Sequence, residues 1–572
     1  MKFEKKTISG ILLIIVSILI LIVPNILLND SQGILNLCLT IISKICLFLF
    51  LGLVLLRLTR SFFWSYLILG TAYLLSSIIE ISNIILLDHY ITADNITSLL
   101  NASKSEVQEF YHLFRVYLVV PAVLIAAFIF IVIKYKSIAY NIKNQKLIIP
   151  LALIALVISI PVSFLRIYHS DKALSGKGLI DCTLRIDYLM DHPFNILNES
   201  YVFVKNSIRA RKYKAQHDNF SFGILNQSDT QKPKLVVFII GERMRYANWS
   251  INGYNRETSP NLEKIKNLIS FKKNYSNSNF TYGSIPLIIT QATPKDPTLA
   301  YSQKTIVTLF KEAGYETNWI SSQYLFDIIN EKNTPDHLYP LYARQHTDMD
   351  IIPLFDSVLN KKTPKNRLII INMLGGHGGV PAKFNVFNPN DSHEDHPVTL
   401  SNAAIFINTY DNMMLFQDYV LSEITKMTER QNVSSVVMFT ADHGCNLFDN
   451  GKALFGYGSA NPTEKETHVP MFISVSDKYI ENNHNKYKNL LDHRDLLTTN
   501  NNLFYSLADL ANIKYKSFVK QQSISDPSFV EFPSRFVRAD NKVFEFKNVK
   551  DNELNSGLAE NASTKEDNTS KK

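Results

Sequence analysis

Cysteine is scarce in this sequence, with four residues in a chain of 572. Two of them, Cys38 and Cys46, lie within one long apolar segment. Cys182 and Cys445 are left for the polar part of the chain, which allows at most one disulfide there. A fold stabilised by a framework of disulfides is therefore excluded.

A dense stripe of lysine and arginine with interleaved aromatic residues is also missing. The formal net charge is +8, but part of this excess lies in short connections between apolar segments. Surfaces that bind nucleic acids concentrate positive charge on one face. We therefore expect no nucleic-acid partner.

Charge is absent from residues 7–29, 116–133 and 147–165, and 33–56 and 62–87 carry one charge each. An apolar run of about 20 residues spans a bilayer as a helix. The pattern predicts a transmembrane domain over residues 1–166, with five helices near 8–28, 34–56, 62–87, 115–134 and 147–166. No small-residue cleavage site follows the first run, which favours a retained anchor over a signal peptide.

The basic residues of the short connections predict the orientation, because cytoplasmic loops are enriched in lysine and arginine. Three segments are basic: the N-terminus with Lys2, Lys5 and Lys6, the second connection with Arg57 and Arg60, and the fourth connection with Lys134, Lys136, Lys143 and Lys146. Five spans from a cytoplasmic N-terminus leave the chain after about residue 167 outside. In a bacterium this location is the periplasm, with the membrane protein in the inner membrane.

The second half changes from long apolar runs to short ones rich in valine and isoleucine. LVVFII (235–240), RLIIINML (367–374) and SSVVMFT (434–440) are typical of strands buried on both faces of a parallel sheet. Helical patterns occur at 260–269, 303–313, 403–428 and 497–511. The alternation predicts a doubly wound, mainly parallel α/β domain over 231–549. Residues 167–230 are then a connector, and 550–572 a disordered tail.

Each of these three runs is followed by residues that can ligate a metal ion. Glu242 follows the first run, His377 the second, and Asp442 and His443 the third. The carboxyl ends of parallel strands form the ligand-binding edge of such sheets. Two carboxylates and an imidazole suit Zn²⁺ or Mn²⁺. Taken singly, Glu242 could be a helix-terminal charge and Asp442–His443 a loop pair, but together they favour a metal site.

The stretch FTYGSIP (280–286) has three hydroxyls, and a hydroxyl such as that of Thr281 could fill the open metal position as a nucleophile. The alternative is an ordinary turn in which Ser284 caps a helix that begins near Ser284–Pro286. The stretch by itself does not decide between them.

The order of the motifs GE…R, GYNRETSPNL, a threonine before SIP, HGG, NTYDN and ADHG resembles the membrane phosphoethanolamine transferases. These enzymes belong to the alkaline phosphatase/sulfatase superfamily and include lipid A-modifying and colistin-resistance proteins. The resemblance covers nearly the whole chain. It implies a five-helix transmembrane domain followed by a periplasmic α/β domain like that of alkaline phosphatase.

The resemblance also implies roles for individual residues. Thr281 matches the nucleophile that carries phosphoethanolamine covalently, and His377 matches a histidine that contacts the phosphoryl group or a second zinc ion. Asn101 and Glu109 resemble a substrate-binding pair in a periplasmic loop. The positions that match the ligands of the catalytic zinc are Glu242, Thr281, Asp442 and His443.

Several residues depart from the family pattern. Arg243 and Met244 replace smaller residues beside Glu242, and no cysteine flanks Thr281. Cys445–Asn446 follows ADHG where the family often has Glu–Ser. Phe455 stands where a later family histidine is expected. His468 could take over part of that histidine's role in substrate binding, or it could be a histidine at the edge of the core.

The resemblance implies a zinc-dependent transferase that moves phosphoethanolamine from phosphatidylethanolamine, through Thr281, to an envelope acceptor. Lipid A, a core-oligosaccharide sugar and a periplasmic glucan are the candidate acceptors, and we expect a monomer. The alternatives are transfer of another phosphoalcohol such as glycerol phosphate, phosphatase action, or a catalytically inactive lipid-binding relative. Sulfatase action is disfavoured, because sulfatases use a cysteine or serine nucleophile in a different motif.

Overall fold

The computed structural model describes residues 18, 22–28, 34–87, 89–102, 107–108, 111, 115–136, 148–170, 192–225, 232–323, 335–343, 346–377, 380, 382–389, 396, 398–452, 454–540, 542–547 and 560–561. The chain divides into two compact units. The first comprises residues 1–96 and 114–204, and the second comprises residues 97–113 and 205–572. Cys182 and Glu109 lie outside the described residues.

The helices in the described part of the chain have the following bounds. They are α1 Val23–Leu27, α2 Ile34–Thr59, α3 Phe62–Leu87, α4 Ala93–Asn101, α5 Val119–Lys136, α6 Ile148–Ser170, α7 Asn195–Lys212, α8 Lys214–Asn219, α9 Thr281–Ile289, α10 Leu299–Ser302, α11 Ile306–Glu312, α12 Ile351–Leu359, α13 Ala403–Arg430, α14 Glu464–Thr467, α15 Asp477–Asn482, α16 His484–His493 and α17 Asn501–Leu510.

The strands have the following bounds. They are β1 Leu235–Gly241, β2 Leu268–Ser270, β3 Lys273–Tyr275, β4 Glu316–Ser321, β5 His337–Pro340, β6 Arg367–Asn372, β7 Ser435–Ala441, β8 Asn446–Leu447, β9 Phe455–Gly456, β10 Met471–Val475, β11 Leu497–Thr499, β12 Ser534–Ala539, β13 Lys542–Lys547 and β14 Glu560–Asn561. The last of these, within the predicted tail, pairs with β13.

Apolar helices dominate the first unit. Among the described residues, two stretches are long and apolar enough to cross a membrane, Leu37–Thr59 in α2 and Phe63–Ile85 in α3. Shorter apolar stretches, Val119–Ile133 and Ile149–Ile158, lie in α5 and α6. Helices thus occur at four of the five predicted spans, and of the first span only the short helix α1 and a few neighbouring residues are described. The count of five stays a prediction.

Buried polar contacts join α3 to later segments of the first unit. The Glu80 carboxylate accepts hydrogen bonds from the Ile91 N–H at 2.8 Å and from Asn195 Nδ2 at 2.9 Å. His192 places its two ring nitrogens 2.9 Å and 3.2 Å from the hydroxyls of Ser76 and Ser77. Burial of these groups is tolerated because each has hydrogen-bond partners. The part of the predicted connector that contains His192 and Asn195 therefore packs within the first unit.

A seven-stranded sheet in the order β2-β10-β7-β1-β6-β4-β5 forms the centre of the second unit. The pairs among β7, β1, β6, β4 and β5 are parallel, and β10 runs antiparallel to β7 and β2. All seven residues of β1 are buried. Alternate β1 side chains enter two separate hydrophobic clusters, one on each face of the sheet. The prediction of an α/β domain with a mainly parallel sheet is confirmed.

Two predicted helices have a different structure. Residues 260–269 form a short 3₁₀ turn at Leu262–Lys264 followed by β2, and 497–511 begin with β11 before α17. In both places a short strand pairs with a distant segment, β10 for β2 and β3 for β11. Such pairings override the local helical pattern because they satisfy backbone hydrogen bonds over long range.

Helix α9 begins three residues earlier than predicted. Thr281 is its first residue, and the Gly283 and Ser284 N–H groups both donate to the Phe280 carbonyl. Ser284 is buried, and its hydroxyl donates to the Ser278 carbonyl at 3.1 Å. Pro286 lies inside the helix. The prediction of Ser284 as the helix cap is therefore wrong, and Thr281 occupies the helix N-terminus.

Candidate metal centre

Three metal-ligating side chains meet at the carboxyl edge of the sheet. Glu242 follows β1, and Asp442 and His443 follow the neighbouring strand β7, in which Ala441 pairs with Gly241. One ligand atom from each of the three lies within 4.8 Å of the others. All three residues are almost fully buried. The parallel register brings together residues that are about 200 positions apart in the chain.

The Thr281 hydroxyl lies at this cluster. It donates to Glu242 Oε2 at 3.0 Å, and it lies 3.2 Å from His443 Nε2. Unlike the three buried residues, Thr281 is partly exposed. Its position at the start of α9 adds the positive end of a helix dipole, which favours anions such as phosphate.

His443 is held in the tautomer that a metal ligand requires. Its Nδ1 lies 2.8 Å from the Gly444 carbonyl, which can only accept a hydrogen bond, so Nδ1 carries the proton. Nε2 then presents a lone pair 3.2 Å from Glu242 Oε1 and 3.4 Å from Asp442 Oδ2. A partner on the second ring nitrogen is typical of metal-binding histidines.

The two carboxylates have shifted pKa values. Burial and then the charge of Glu242 raise the pKa of Asp442 to about 8. For Glu242, burial acts to raise the pKa, but the adjacent His443 and His377 outweigh it and bring the pKa well below its ordinary value. Burial lowers the pKa of His443, and Asp442 and Glu242 together raise it above its usual value.

The residues fit a bound cation. Asp442 Oδ1 accepts hydrogen bonds from the N–H groups of Arg243 and His443, at 3.1 Å and 2.6 Å. Its Oδ2 is buried and, within the described part of the chain, accepts no hydrogen bond. A buried carboxylate oxygen without a donor is costly unless a cation neutralises it. Oxygen and imidazole donors together suit Zn²⁺.

Of the predicted substrate residues, His377 also reaches the cluster, whereas His468 is engaged by other partners. His377 Nε2 lies 3.4 Å from Glu242 Oε1. In the described part of the chain, His468 stacks between Tyr246 and Tyr275, at centroid distances of 4.0 Å and 4.5 Å. Its Nε2 donates to the Lys272 carbonyl at 2.9 Å. Asn101 is the last residue of α4, and neither its side chain nor Glu109 is among those that the structure describes.

Two residues that sequence reasoning missed contact the cluster. Gln323 Nε2 donates to Glu242 Oε2 at 3.0 Å, and the Tyr457 ring lies 4.3 Å from the His443 ring. Gln323 comes two residues after β4, so, like Glu242 and Asp442, it follows the carboxyl end of a strand in the parallel sheet. The sequence pattern does not predict β4, because ETNWIS is largely polar. Nearly all of the strand is nevertheless buried.

Residues 234–513 match the Sulfatase family model. This region is a sulfatase-family domain. The buried metal cluster and Thr281 all lie within it. The domain belongs to the alkaline phosphatase/sulfatase superfamily, as the resemblance implied.

Relatives of known name share this region. Phosphoethanolamine transferase EptC of Escherichia coli is 26% identical over 319 residues, which cover 52% of this chain and 54% of EptC. The chain thus matches about half the length of the curated relatives it resembles. The resemblance to phosphoethanolamine transferases is confirmed.

Two solved structures show the same fold. The C-terminal periplasmic domain of E. coli EptC, in complex with zinc, is 24% identical with a TM-score of 0.51, covering 56% of this chain and 94% of that one. The integral membrane lipooligosaccharide phosphoethanolamine transferase A (EptA) of Neisseria meningitidis is 19% identical with a TM-score of 0.64, covering 81% and 89%.

Proposed function

We propose that this protein is a zinc-dependent phosphoethanolamine transferase with Thr281 as its nucleophile. The observation that carries the proposal is the hydroxyl of Thr281 between Glu242 and His443 at the start of α9. The names of the relatives supply the transferred group. On this proposal, the catalytic domain lies in the periplasm of a bacterium and the first unit lies in the inner membrane.

Glu242, Asp442, His443 and Thr281 are the residues that would hold the ion, with Zn²⁺ favoured over Mn²⁺ by the zinc complex of the EptC domain. When bound, zinc supplies positive charge that lowers the pKa of a hydroxyl and stabilises charge on phosphoryl oxygens. Glu242 Oε2 accepts the hydrogen bond of the Thr281 hydroxyl and orients its oxygen for attack.

The reaction has two displacements at phosphorus. Thr281 Oγ1 attacks the phosphorus of phosphatidylethanolamine, the bond to the glycerol oxygen breaks, and diacylglycerol leaves after gaining a proton. An acceptor hydroxyl then attacks the same phosphorus and releases Thr281. His377, whose Nε2 lies at the cluster, is the residue placed to exchange protons with the leaving and attacking oxygens. His468 is a less suitable candidate, because stacking and the Lys272 carbonyl engage its ring.

Intact mass spectrometry of the detergent-solubilised chain tests the proposal. Zinc-loaded protein mixed with phosphatidylethanolamine micelles should gain one phosphoethanolamine on Thr281, and Thr281→Ala should gain none. An adduct that persists in Thr281→Ala would refute the nucleophile. No adduct on zinc-loaded protein would favour an inactive lipid-binding relative.

Matched micelles separate the remaining enzymatic alternatives. An adduct of glycerol phosphate from phosphatidylglycerol, with none from phosphatidylethanolamine, would indicate transfer of another phosphoalcohol. Release of inorganic phosphate from a phosphomonoester without an acceptor would indicate a phosphatase. The acceptor, which we propose is lipid A or a core-oligosaccharide sugar, follows from mass spectrometry of envelope glycolipids with and without the gene. The monomeric state stays a prediction, and light scattering in detergent tests it.

A further inference from the structure

A buried cationic residue directly follows the metal ligand Glu242. Arg243 is only 6% exposed and has a left-handed backbone, with φ of 55°. Its N–H donates to Asp442 Oδ1 at 3.1 Å, and its carbonyl accepts from the Tyr410 hydroxyl at 3.0 Å. Such a backbone is unfavourable for residues other than glycine, and conformations of this kind cluster at functional sites. The two hydrogen bonds hold Arg243 in it.

The side chain of Arg243 lies on the same side of the site as Tyr457. Its guanidinium carbon is 5.4 Å from the centroid of the Phe455 ring and 5.6 Å from that of Tyr457. The Tyr457 ring also lies 4.3 Å from the His443 ring and 6.0 Å from the His377 ring. One aromatic residue therefore contacts a metal ligand, the proposed proton-exchanging histidine and the arginine.

A further cation beside the metal centre suits the charges of the proposed reaction. Glu242 and Asp442 offset the two charges of a divalent ion, so the filled metal site stabilises negative charge on the substrate less than the ion alone would. A phosphodiester carries one negative charge, and attack by Thr281 adds negative charge to the phosphoryl oxygens. Transition states of this kind are stabilised by fixed positive groups that are already in place before the reaction. Arginine remains charged at any physiological pH.

We infer that Arg243 binds the phosphoryl oxygens of the substrate and positions them at the metal centre. This inference rests on the proposed function and adds the residue that binds the negatively charged group of the substrate. The Arg243 guanidinium also contacts the side chain of Cys445. A guanidinium has five N–H donors, so one such partner does not use them all, and their planar arrangement matches two phosphate oxygens. The ligand class is a phosphate monoester or diester.

A direct binding measurement tests this role without turnover. The full chain carrying Thr281→Ala, zinc-loaded and in detergent, is titrated with inorganic phosphate in a calorimeter. Adding Arg243→Gln should raise the Kd by about tenfold to a hundredfold, the usual range for losing a charged hydrogen bond. The phosphate Kd of Arg243→Lys should lie between those of the Thr281→Ala parent and of Arg243→Gln, because lysine keeps the charge but loses the planar pair of donors.

Arg535 provides a matched control. It is also 6% exposed, and its guanidinium lies over two rings, at 3.7 Å from Tyr275 and 4.6 Å from Phe546. It pairs with Glu464 at 2.6 Å and not with one of the proposed metal ligands. Arg535→Gln should leave the phosphate Kd unchanged, whatever it does to stability.

An Arg243→Gln protein that holds zinc and binds phosphate as tightly as its parent would overturn the inference. If Arg243→Gln fails to hold zinc, the phosphate affinity of Arg243→Lys is compared with that of the parent instead. An affinity equal to the parent's would show that the guanidinium does not bind the phosphoryl oxygens. The Thr281 adduct assay remains a separate measurement. If the chain forms no adduct, but Arg243→Gln weakens phosphate binding, the proposed transferase activity is wrong and the role of Arg243 in anion binding is supported.

Discussion

Gly375 lies so close to the backbone of Glu242 that a Cβ at this position would come within 2.1 Å of the Glu242 carbonyl oxygen. Its φ of 62° also favours glycine. The next residue, Gly376, donates its N–H to the same carbonyl at 2.8 Å. Glycine at this turn therefore allows the loop after β6 to pack against the first metal ligand.

Gly375→Ala should displace Glu242 and weaken zinc binding. We expect zinc per chain, measured by elemental analysis, to fall below half, together with a loss of more than about 2 kcal/mol in unfolding free energy. Gly314→Ala is the control, because Gly314 has a φ of 90° but no atom within 4 Å of the place that an alanine methyl group would take. That variant should lose about 1 kcal/mol and keep its zinc. Equal zinc content in both variants would contradict the proposed contact.

Gln323 should hold the Glu242 carboxylate in position for the ion, since it donates to Oε2 at 3.0 Å. Hydrogen bonds to ligating groups typically change metal affinity by about tenfold to a hundredfold. We expect Gln323→Ala to lower zinc affinity by that factor in a chelator competition. Gln291→Ala removes a buried glutamine that contacts Tyr505 instead, and it should leave zinc affinity unchanged. A similar loss in both variants would indicate a general effect on folding.

Asp411 should be important for stability, because its buried carboxylate accepts three hydrogen bonds. The donors are Asn248 Nδ2 at 2.6 Å, the Tyr254 hydroxyl at 2.8 Å and Arg256 at 2.7 Å. Asp411→Ala leaves these donors without their acceptor and should lower the unfolding free energy by about 3 kcal/mol. Denaturant unfolding followed by the fluorescence of buried Trp249 and Trp319 measures the loss.

An exposed ion pair in the same domain serves as its control. Asp477 pairs with Lys266 at 2.9 Å, and both side chains are mostly exposed. Asp477→Ala should change the unfolding free energy by less than about 1 kcal/mol. If Asp411→Ala lowered the unfolding free energy by as little as Asp477→Ala, the Asp411 carboxylate would not hold the GYNRETSPNL and NTYDN segments together.

His468 should make stability depend on pH in the acidic range. Burial holds its pKa at about 4, with Glu464 and the Lys272 carbonyl opposing and Arg535 and Lys465 reinforcing the shift. Between pH 6.5 and 4 the unfolded chain binds a proton that the folded chain excludes, so the unfolding free energy falls as pH falls. The loss should approach about 3 kcal/mol.

His468→Phe keeps a ring between Tyr246 and Tyr275 but removes the titration. Unfolding titrations at about pH 7.5 and about pH 5 should therefore show a smaller drop in this variant than in the parent chain. His484→Gln changes an exposed histidine outside the stack and should retain the parental drop. An unchanged drop in His468→Phe would show that another group causes the acid sensitivity.

The sequence alone was sufficient for the α/β domain and for the grouping of Glu242, Asp442 and His443 after strands. Runs such as LVVFII are buried on both faces of the sheet, so their composition indicates their position directly. Polar residues that follow such runs must then lie at one edge. Apolar length likewise indicated the helices of the first unit, two of which are long enough to span a membrane by length and composition.

Only the tertiary structure distinguished among residues whose local sequence is ambiguous. Thr281 contacts the cluster while Ser284, also in α9, is buried, and FTYGSIP by itself has no feature that separates the two hydroxyls. His377 lies at Glu242, whereas His468 lies within an aromatic stack. Arg243 and Phe455, two departures from the family pattern, are far apart in the chain and in contact in the fold. Contacts of this kind depend on strand order and register, which no short stretch of sequence encodes.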